Sequence, residues 1–258
     1  MKKKKNIICI VQARMSSIRL PGKSMMDIAG KPAIQRVIER IKRSKYLSNI
    51  WLACSSHKSD NILYEFALKH SFNCFRGSLD DVLSRYVSIS NNNNADIVVR
   101  ITGDCPLIDP EIVDQVIEII IKNKCDYASN TLKRTYPDGL DVEVFTSQAL
   151  YEADKFSSHG FMREHVTPYI HGRLVNQFPS GDFIRDQLLY KINYSNYRWT
   201  LDYREDLVFL NNIYENLDDN CGWQKVIELI LKYPHLKNIN KHINLNVKTE
   251  DSPIKFKS

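Results

Sequence analysis

Between Asn6 and Ser129, short apolar runs alternate with segments whose hydrophobic residues recur every three or four positions. That rhythm narrows the folds open to this chain more than anything else in it. Asn6 to Gln12 reads as a strand. Pro32 to Arg43 reads as a helix, with Ile34, Val37, Ile38 and Ile41 on one face. Strands over Ile50 to Cys54, Phe72 to Phe75 and Ala95 to Ile101 alternate with helices over Asp60 to His70, Leu79 to Ser90 (capped by Ser78) and Pro110 to Lys122. Tyr127 to Ser129 begins another strand. Strands separated by helices of ~10–15 residues predict an α/β fold with a mostly parallel sheet covered on both faces.

After about Thr131 the rhythm changes. Pro137-Asp138-Gly139 is a turn before a strand at Leu140 to Phe145, and Ser147 is placed as the cap of a helix through Lys155. Phe161 to His171 reads as a short helix with an awkward internal Pro168. Gly172 to Asn196 reads as a small antiparallel excursion, Tyr197 to Leu201 as a returning strand, and Arg204 to Asn216 and Gly222 to Leu231 as closing helices. The expected organisation is one domain over residues 1–233, with the excursion at about 131–196, and a tail over 234–258 with little apolar periodicity.

Composition excludes several classes. Hydrophobic residues make up 43% and charged residues 26%, as in an ordinary soluble protein, and no apolar stretch approaches the length of a bilayer. Met1 to Lys5 is read as a solvated tail, because the apolar run after it is too short for a signal peptide and stops at Gln12 and Arg14. The net charge of +6 is scattered, without the aromatic interleaving of a nucleic-acid groove, and suits an anionic small substrate. The six cysteines have no C-x-x-C spacing, which argues against a zinc site and a disulfide framework. Cys9, Cys54 and Cys74 are read as buried small hydrophobes of a reduced, cytoplasmic protein.

The chemistry concentrates where strands end. The first strand stops at Val11 to Lys23, a polar loop carrying Arg14, Arg19 and Lys23, two serines and a Pro-Gly turn. A basic loop between strand and helix is how α/β proteins hold phosphates. The loop is neither a Walker A motif nor G-x-G-x-x-G. In Arg100 to Asp109, Gly103 allows a bend and Asp104 projects beyond the strand. In Trp199 to Asp202, a second strand ends on a carboxylate. Two carboxylates with triphosphate oxygens and waters suit octahedral Mg²⁺, and a basic loop with two such aspartates is the equipment of nucleotidyl transfer.

Five segments occur in order: Q-A-R-M-S-S-I-R-L-P-G-K, V-R-I-T-G-D-C-P-L-I-D-P, D-G-L-D-V-E-V-F, R-E-H-V-T-P-Y-I and W-T-L-D-Y-R-E-D-L. Together they resemble the cytidylyltransferase family of CMP-Kdo synthetase and acylneuraminate cytidylyltransferase, nearest the spore coat polysaccharide biosynthesis protein F branch. The resemblance covers residues 6 to 217, roughly. It implies a Rossmann-like nucleotide-diphospho-sugar transferase fold, CTP and Mg²⁺ as partners, a homodimer, and a role in surface polysaccharide synthesis. It places Arg14 and Lys23 on the triphosphate, Asp104 and Asp202 on the metal, and Gln12 and Ala13 where backbone meets nucleotide. Ser55 and Ser56 match a segment near the cytosine, and Arg76, Gly77 and Ser78 one near the base or ribose. Among candidate acceptor-binding residues, Arg163 and His165 suit the carboxylate of an anionic acceptor, a sugar acid or a small phosphorylated compound, and Asp141 and Glu143 a cationic group on it.

Blander readings stand beside these. Arg19 pairs with a phosphate or with Asp27. Asp202 is a metal ligand or a helix cap. Asp141 and Glu143, which share a strand face, orient the acceptor, support the metal or form a salt-bridged face. Glu164 suits a structural pair, and Cys105 suits packing. The competing functions are a nucleotidylyltransferase using UTP or GTP, a metal-dependent glycosyltransferase of similar fold, and a non-catalytic nucleotide-binding protein. The absence of D-x-D and the basic loop count against the glycosyltransferase.

Overall fold

The computed structural model describes residues 5–158 and 160–243. Strand β1 (Ile7–Gln12) is an interior strand, third in a seven-stranded sheet. On one side it pairs in parallel with β4 (Asn49–Ser55), which pairs in parallel with the edge strand β5 (Asn73–Gly77). On the other side it pairs in parallel with β6 (Ile97–Thr102). Beyond β6 come β8 (Glu143–Thr146) and β7 (Tyr127–Ser129), each antiparallel to its neighbour, and then β9 (Arg185–Gln187). Two two-residue strands, β2 (Asp27–Ile28) and β3 (Lys31–Pro32), form a separate antiparallel pair.

The apolar continuity of β1 follows from burial on both faces. Ile7, Cys9 and Val11 join the core under α1 (Ala33–Ile41), α2 (Asn61–Lys69), α4 (Pro110–Asn123), α8 (Arg204–Asn216) and α9 (Trp223–Lys232). Ile8 and Ile10 join the opposite core under α3 (Val82–Asn92), α5 (Ser147–Phe156), α6 (Gly160–His165) and α7 (Pro168–His171). The chain leaves β1 toward β4 on one side and returns to β6 on the other. That reversal opens a crevice outside the carboxyl ends of β1 and β6.

Several local expectations change. α3 begins at Val82, and Asp81 rather than Ser78 caps it, accepting from Ser84 N. α5 is capped by Thr146, while Ser147 Oγ donates to Ala95 O at 2.5 Å. Pro168 does not interrupt a helix. It opens α7, after the chain breaks at Val166 with φ +68°. Gly172 to Asn196 is not antiparallel: its one strand, β9, runs parallel to β7, and the rest of that stretch is irregular; the antiparallel strand within 131–196 is β8. Tyr197 to Leu201 makes a single bridge, Asp138 to Arg198, instead of a strand. The tail begins with a short helix, α10 (His235–Asn238), whose Leu236 is buried. Its remainder after residue 243, and the opening Met1 to Lys4, lie outside the described residues. Among the described residues no helix is long and apolar enough to cross a membrane.

Candidate active site

The loop after β1 is held by its own contacts. Met15 N donates to Asp60 Oδ1 at 2.8 Å, Gly22 N returns to Met15 O at 2.9 Å, and Leu20 is buried. Gly22 takes φ +78°, the left-handed turn that suits glycine, and a short 3₁₀ turn over Lys23–Met25 follows. Asp60 also accepts from Ser55 N and Ser55 Oγ, tying the end of β4 to the same loop. At the end of β6, Gly103 N donates to Gln12 O at 2.8 Å, and a Cβ there would lie 3.0 Å from Ala13 Cβ. Glycine therefore lets the ends of β1 and β6 close together.

The Asp202 segment is brought to the same place by backbone. Leu201 N donates to Asp104 O at 2.8 Å, and Thr200 Oγ1 donates to it at 3.2 Å. Gly139, at φ +108°, packs against Trp199 and Thr200 so closely that a Cβ would fall 2.6 Å from Thr200 N. The result is a shared ammonium: Lys23 Nζ donates to Asp104 Oδ2 at 2.5 Å and to Asp202 Oδ1 at 2.8 Å. Arg19 pairs with the other oxygen of Asp202 at 2.9 Å. Arg198, almost fully buried, reaches Asp202 at 3.1 Å and Asp206 at 3.0 Å. Asp206, not Asp202, serves the start of α8, accepting from the backbone of Asp202 and Tyr203.

Charge is balanced within this cluster. Burial alone would raise the Asp104 carboxyl, but the adjacent Lys23 overrides it and draws the pKa down to about 2. Burial likewise works against the Lys23 ammonium, and Asp104 and Asp202 outweigh it, so its pKa rises. Cys105 is buried, and burial pushes its thiol far up, which leaves it protonated packing. Among the described residues no group of three or more His, Cys, Asp or Glu is placed to hold a metal. The two carboxylates nevertheless converge on one point and offer hard oxygens. That donor set fits a Mg²⁺ ion whose remaining ligands come from phosphate and water.

These groups line a cleft of about 580 Å³. Of the residues expected from sequence, the structure brings Gln12, Ala13, Arg14, Lys23, Asp104, Asp202 and His165 to its walls. Arg14 Nη2 meets Glu164 Oε1 of α6 across the cleft at 2.9 Å. The others are engaged elsewhere. Ser55 is spent on Asp60, and Ser56 N donates to Gly77 O. Arg76 donates to Ser55 O, His57 O and Asn61 Oδ1, and Ser78 Oγ accepts from Asp81 N. Gly77 packs under the stem of Arg85, where a Cβ would sit 2.7 Å from Arg85 Cγ. Arg163 binds Asp81 and Asp154, outside the cleft lining, and Asp141 binds Arg134. Glu143 is buried, paired with Arg100 and accepting from Tyr127 OH and Thr167 Oγ1; Arg100 overcomes burial and keeps its carboxyl low.

Two residues escaped the sequence, Arg85 in the cleft wall and Arg198 behind Asp202. Arg85 shares the inward face of α3 with Val82, Tyr86 and Ile89. A charge on that apolar stripe was the available signal. Burial lowers its pKa. Arg198 lies in a stretch that makes only one bridge, and nothing local marks it.

Comparison with known proteins adds four findings. Residues 8–216 match the model of a family described as cytidylyltransferase. A solved structure of a cytidylyltransferase from Leptospira borgpetersenii serovar Hardjo-bovis is 30% identical, covers 93% of this chain and 99% of its own, and superposes with a TM-score of 0.84. The spore coat polysaccharide biosynthesis protein SpsF of Bacillus subtilis is 28% identical over 239 residues, 89% of this chain and 95% of that one. An uncharacterised protein of Methanocaldococcus jannaschii is 35% identical over 238 residues, 92% of this chain and 95% of its own.

Proposed function

The chain belongs to the cytidylyltransferase family and is a nucleotidyltransferase, and on that premise we propose that it transfers CMP from CTP to an acidic sugar or a small phosphorylated acceptor, with release of pyrophosphate, for surface polysaccharide synthesis. The observation that carries this reading is the single ammonium of Lys23 between Asp104 and Asp202, at the rim of a cleft lined by further cations. Such a place suits a reaction in which charge develops on phosphoryl oxygens.

In the proposed step, an acceptor oxygen forms a bond to the α-phosphorus of CTP. The bond from that phosphorus to the bridging oxygen of the β-phosphate breaks, and the electron pair leaves on pyrophosphate. If the attacking group is a hydroxyl, its proton goes to solvent. Asp104 and Asp202 would hold Mg²⁺, which supplies Lewis-acid neutralisation of the α-phosphoryl charge. Arg14, Arg19 and Lys23 bind the phosphate chain and stabilise the leaving pyrophosphate; losing one such fixed cation typically costs about 10²–10³ in rate. With its two aspartates charge-balanced by the ion, Lys23 has its charge available for phosphate. His165 and Glu164, on the α6 wall, line the same cleft, and His165 is assigned to the acceptor.

Name-level support comes from the SpsF likeness and from partial matches to 3-deoxy-manno-octulosonate cytidylyltransferases, one of them 33% identical over 45% of this chain. We place the enzyme in the cytoplasm as a homodimer. The exposed apolar side chains Val175, Ile184, Leu189 and Ile192 in that segment are consistent with contact with a second copy. The test is pyrophosphate release with Mg²⁺ and each of CTP, UTP, GTP and ATP over a panel of acidic sugars and phosphorylated compounds. Turnover with CTP and one acceptor class is the expected result. Turnover with UTP or GTP in preference to CTP, or none with any nucleotide, would overturn the reading.

A further inference from the structure

Each cation of the loop after β1 holds a carboxylate, but the pairs are not alike. Lys23 and Arg19 sit on Asp104 and Asp202, the carboxylates suited to a metal ion. An ion bound there would take those oxygens and leave both cations to phosphate. Arg14 is different. Its Nη2 meets Glu164 Oε1 at 2.9 Å, and Glu164 comes from α6, 150 residues along the chain. No ion on the two aspartates would release that guanidinium. Among the residues lining the cleft, Glu164 is the one carboxylate that stands apart from the aspartate pair.

The pair is not what holds α6 in place. Arg163, next to Glu164, binds Asp81 and Asp154, each at 2.7 Å, and also donates to Asp154 O and Ser157 O. Met162 and Val166 are buried with Leu83 and Ala153 in the core on that side of the sheet. Thr167 Oγ1 donates to the buried Glu143 at 2.7 Å. Val166 N closes α6 on Met162 O at 3.0 Å, and Val166 takes φ +68°, a conformation that a β-branched residue adopts only where its surroundings impose it. These contacts fix α6, with Glu164 on the cleft wall, and none of them involves Arg14.

The side chains of Arg14 and Glu164 are each 41% exposed, so water screens their attraction, and a pair of this kind changes an equilibrium constant only a few-fold. The contact therefore opens easily. A phosphate chain brings several negative charges, and oxygens in the geometry a guanidinium binds best, to a group that one carboxylate oxygen now holds. We propose that Glu164 is a built-in competitor for phosphate at Arg14: its carboxylate holds the guanidinium until the phosphate chain of the nucleotide displaces it. Glu164 thus acts through Arg14, weakening the binding of phosphate ligands and, by returning to Arg14, favouring the departure of pyrophosphate. This rests on the nucleotidyl-transfer reading above, which places phosphate on Arg14.

The test is calorimetric titration with inorganic triphosphate and with CTP, both with Mg²⁺ and at low salt, of wild type, Glu164→Gln, Arg14→Met and the double variant. Glu164→Gln keeps the shape and removes the charge. It should bind both ligands about threefold or more tightly than wild type, whereas Arg14→Met should bind them about tenfold or more weakly. In the Arg14→Met background the gain from Glu164→Gln should fall below about 1.5-fold, because the competition runs through that guanidinium. A purely structural role for Glu164 would leave affinity unchanged or lower it. Affinity in Glu164→Gln equal to or weaker than wild type, with Arg14→Met weakened as expected, would overturn the proposal and leave the nucleotidyl-transfer reading standing. An undiminished gain in the double variant would overturn it as well, since general repulsion would then explain the effect. Glu164→Ala answers the same question if Glu164→Gln does not fold. Affinity unchanged in Arg14→Met would overturn the proposal together with the assignment of phosphate to Arg14, and failure of wild type to bind CTP would count against the proposed function itself.

Discussion

Replacing Lys23 with methionine separates the two roles assigned to its ammonium. Lys23 is the largest influence holding the Asp104 carboxyl near 2 instead of the ordinary 3.8, against burial that would raise it. At about 1.36 kcal/mol per pH unit, that difference corresponds to ~2–3 kcal/mol of stability. A carboxyl lowered on folding contributes this stability above its unfolded pKa and loses it as pH falls from about 4 toward about 2, so the whole amount is at stake at pH 7. Asp202 keeps Arg19 and Arg198 as partners, so the loss centres on Asp104. For a protein of this size, the melting midpoint should drop by about 5–10 °C. Mg²⁺ should then do for the variant what the ammonium did. Thermal scans across a Mg²⁺ series should show a larger stabilisation of Lys23→Met than of wild type, because binding to the folded state alone raises stability. A variant as stable as wild type, or one indifferent to Mg²⁺ while wild type responds, would refute the reasoning.

Three further outcomes follow from the same geometry. Asp104→Asn should lose about 10²–10³ or more of CTP-dependent pyrophosphate release while far-ultraviolet circular dichroism shows a folded protein; near-normal release would remove Asp104 from the metal. Gly139→Ala should destabilise by ~2 kcal/mol or more in denaturant titrations, since φ +108° and a 2.6 Å approach to Thr200 leave no room for a methyl group. Burial holds the His171 ring down to about 4 against an ordinary 6.5, so folding favours the neutral ring, and stability is lost as pH falls below 6.5. Between pH 7.5 and 5 (roughly) this group should cost about 2 kcal/mol in wild type, a slope that His171→Asn should remove.

The first half of the fold was legible because its strands are buried on both faces and its helices carry one apolar stripe each. Ile7 to Val11 and Ile34 to Ile41 announce themselves by composition and period. The second half was not, because its structure is set by distant contacts. β9 exists by pairing with β7, and Trp199 to Asp202 is held by Asp104 and Gly139 instead of by a strand of its own. The site divides the same way. Asp104 sits just past the end of β6 and Lys23 in the basic loop after β1, both of which a sequence can locate. The amide orientation of Gln12 depends on Tyr86, Arg100 and Glu143, which come from three other elements. Arg76 and Arg163 looked equally suited to ligands, but each is consumed by neighbours that only the folded chain supplies.

A crystal of the wild-type protein grown with CTP and Mn²⁺ would examine the acidic pair most directly. Anomalous density should lie within coordination distance of both Asp104 and Asp202, with the Lys23 ammonium withdrawn from between them and resting on phosphate oxygens. Density bound to other side chains, with Lys23 still bridging the two aspartates while CTP occupies the cleft, would contradict the account.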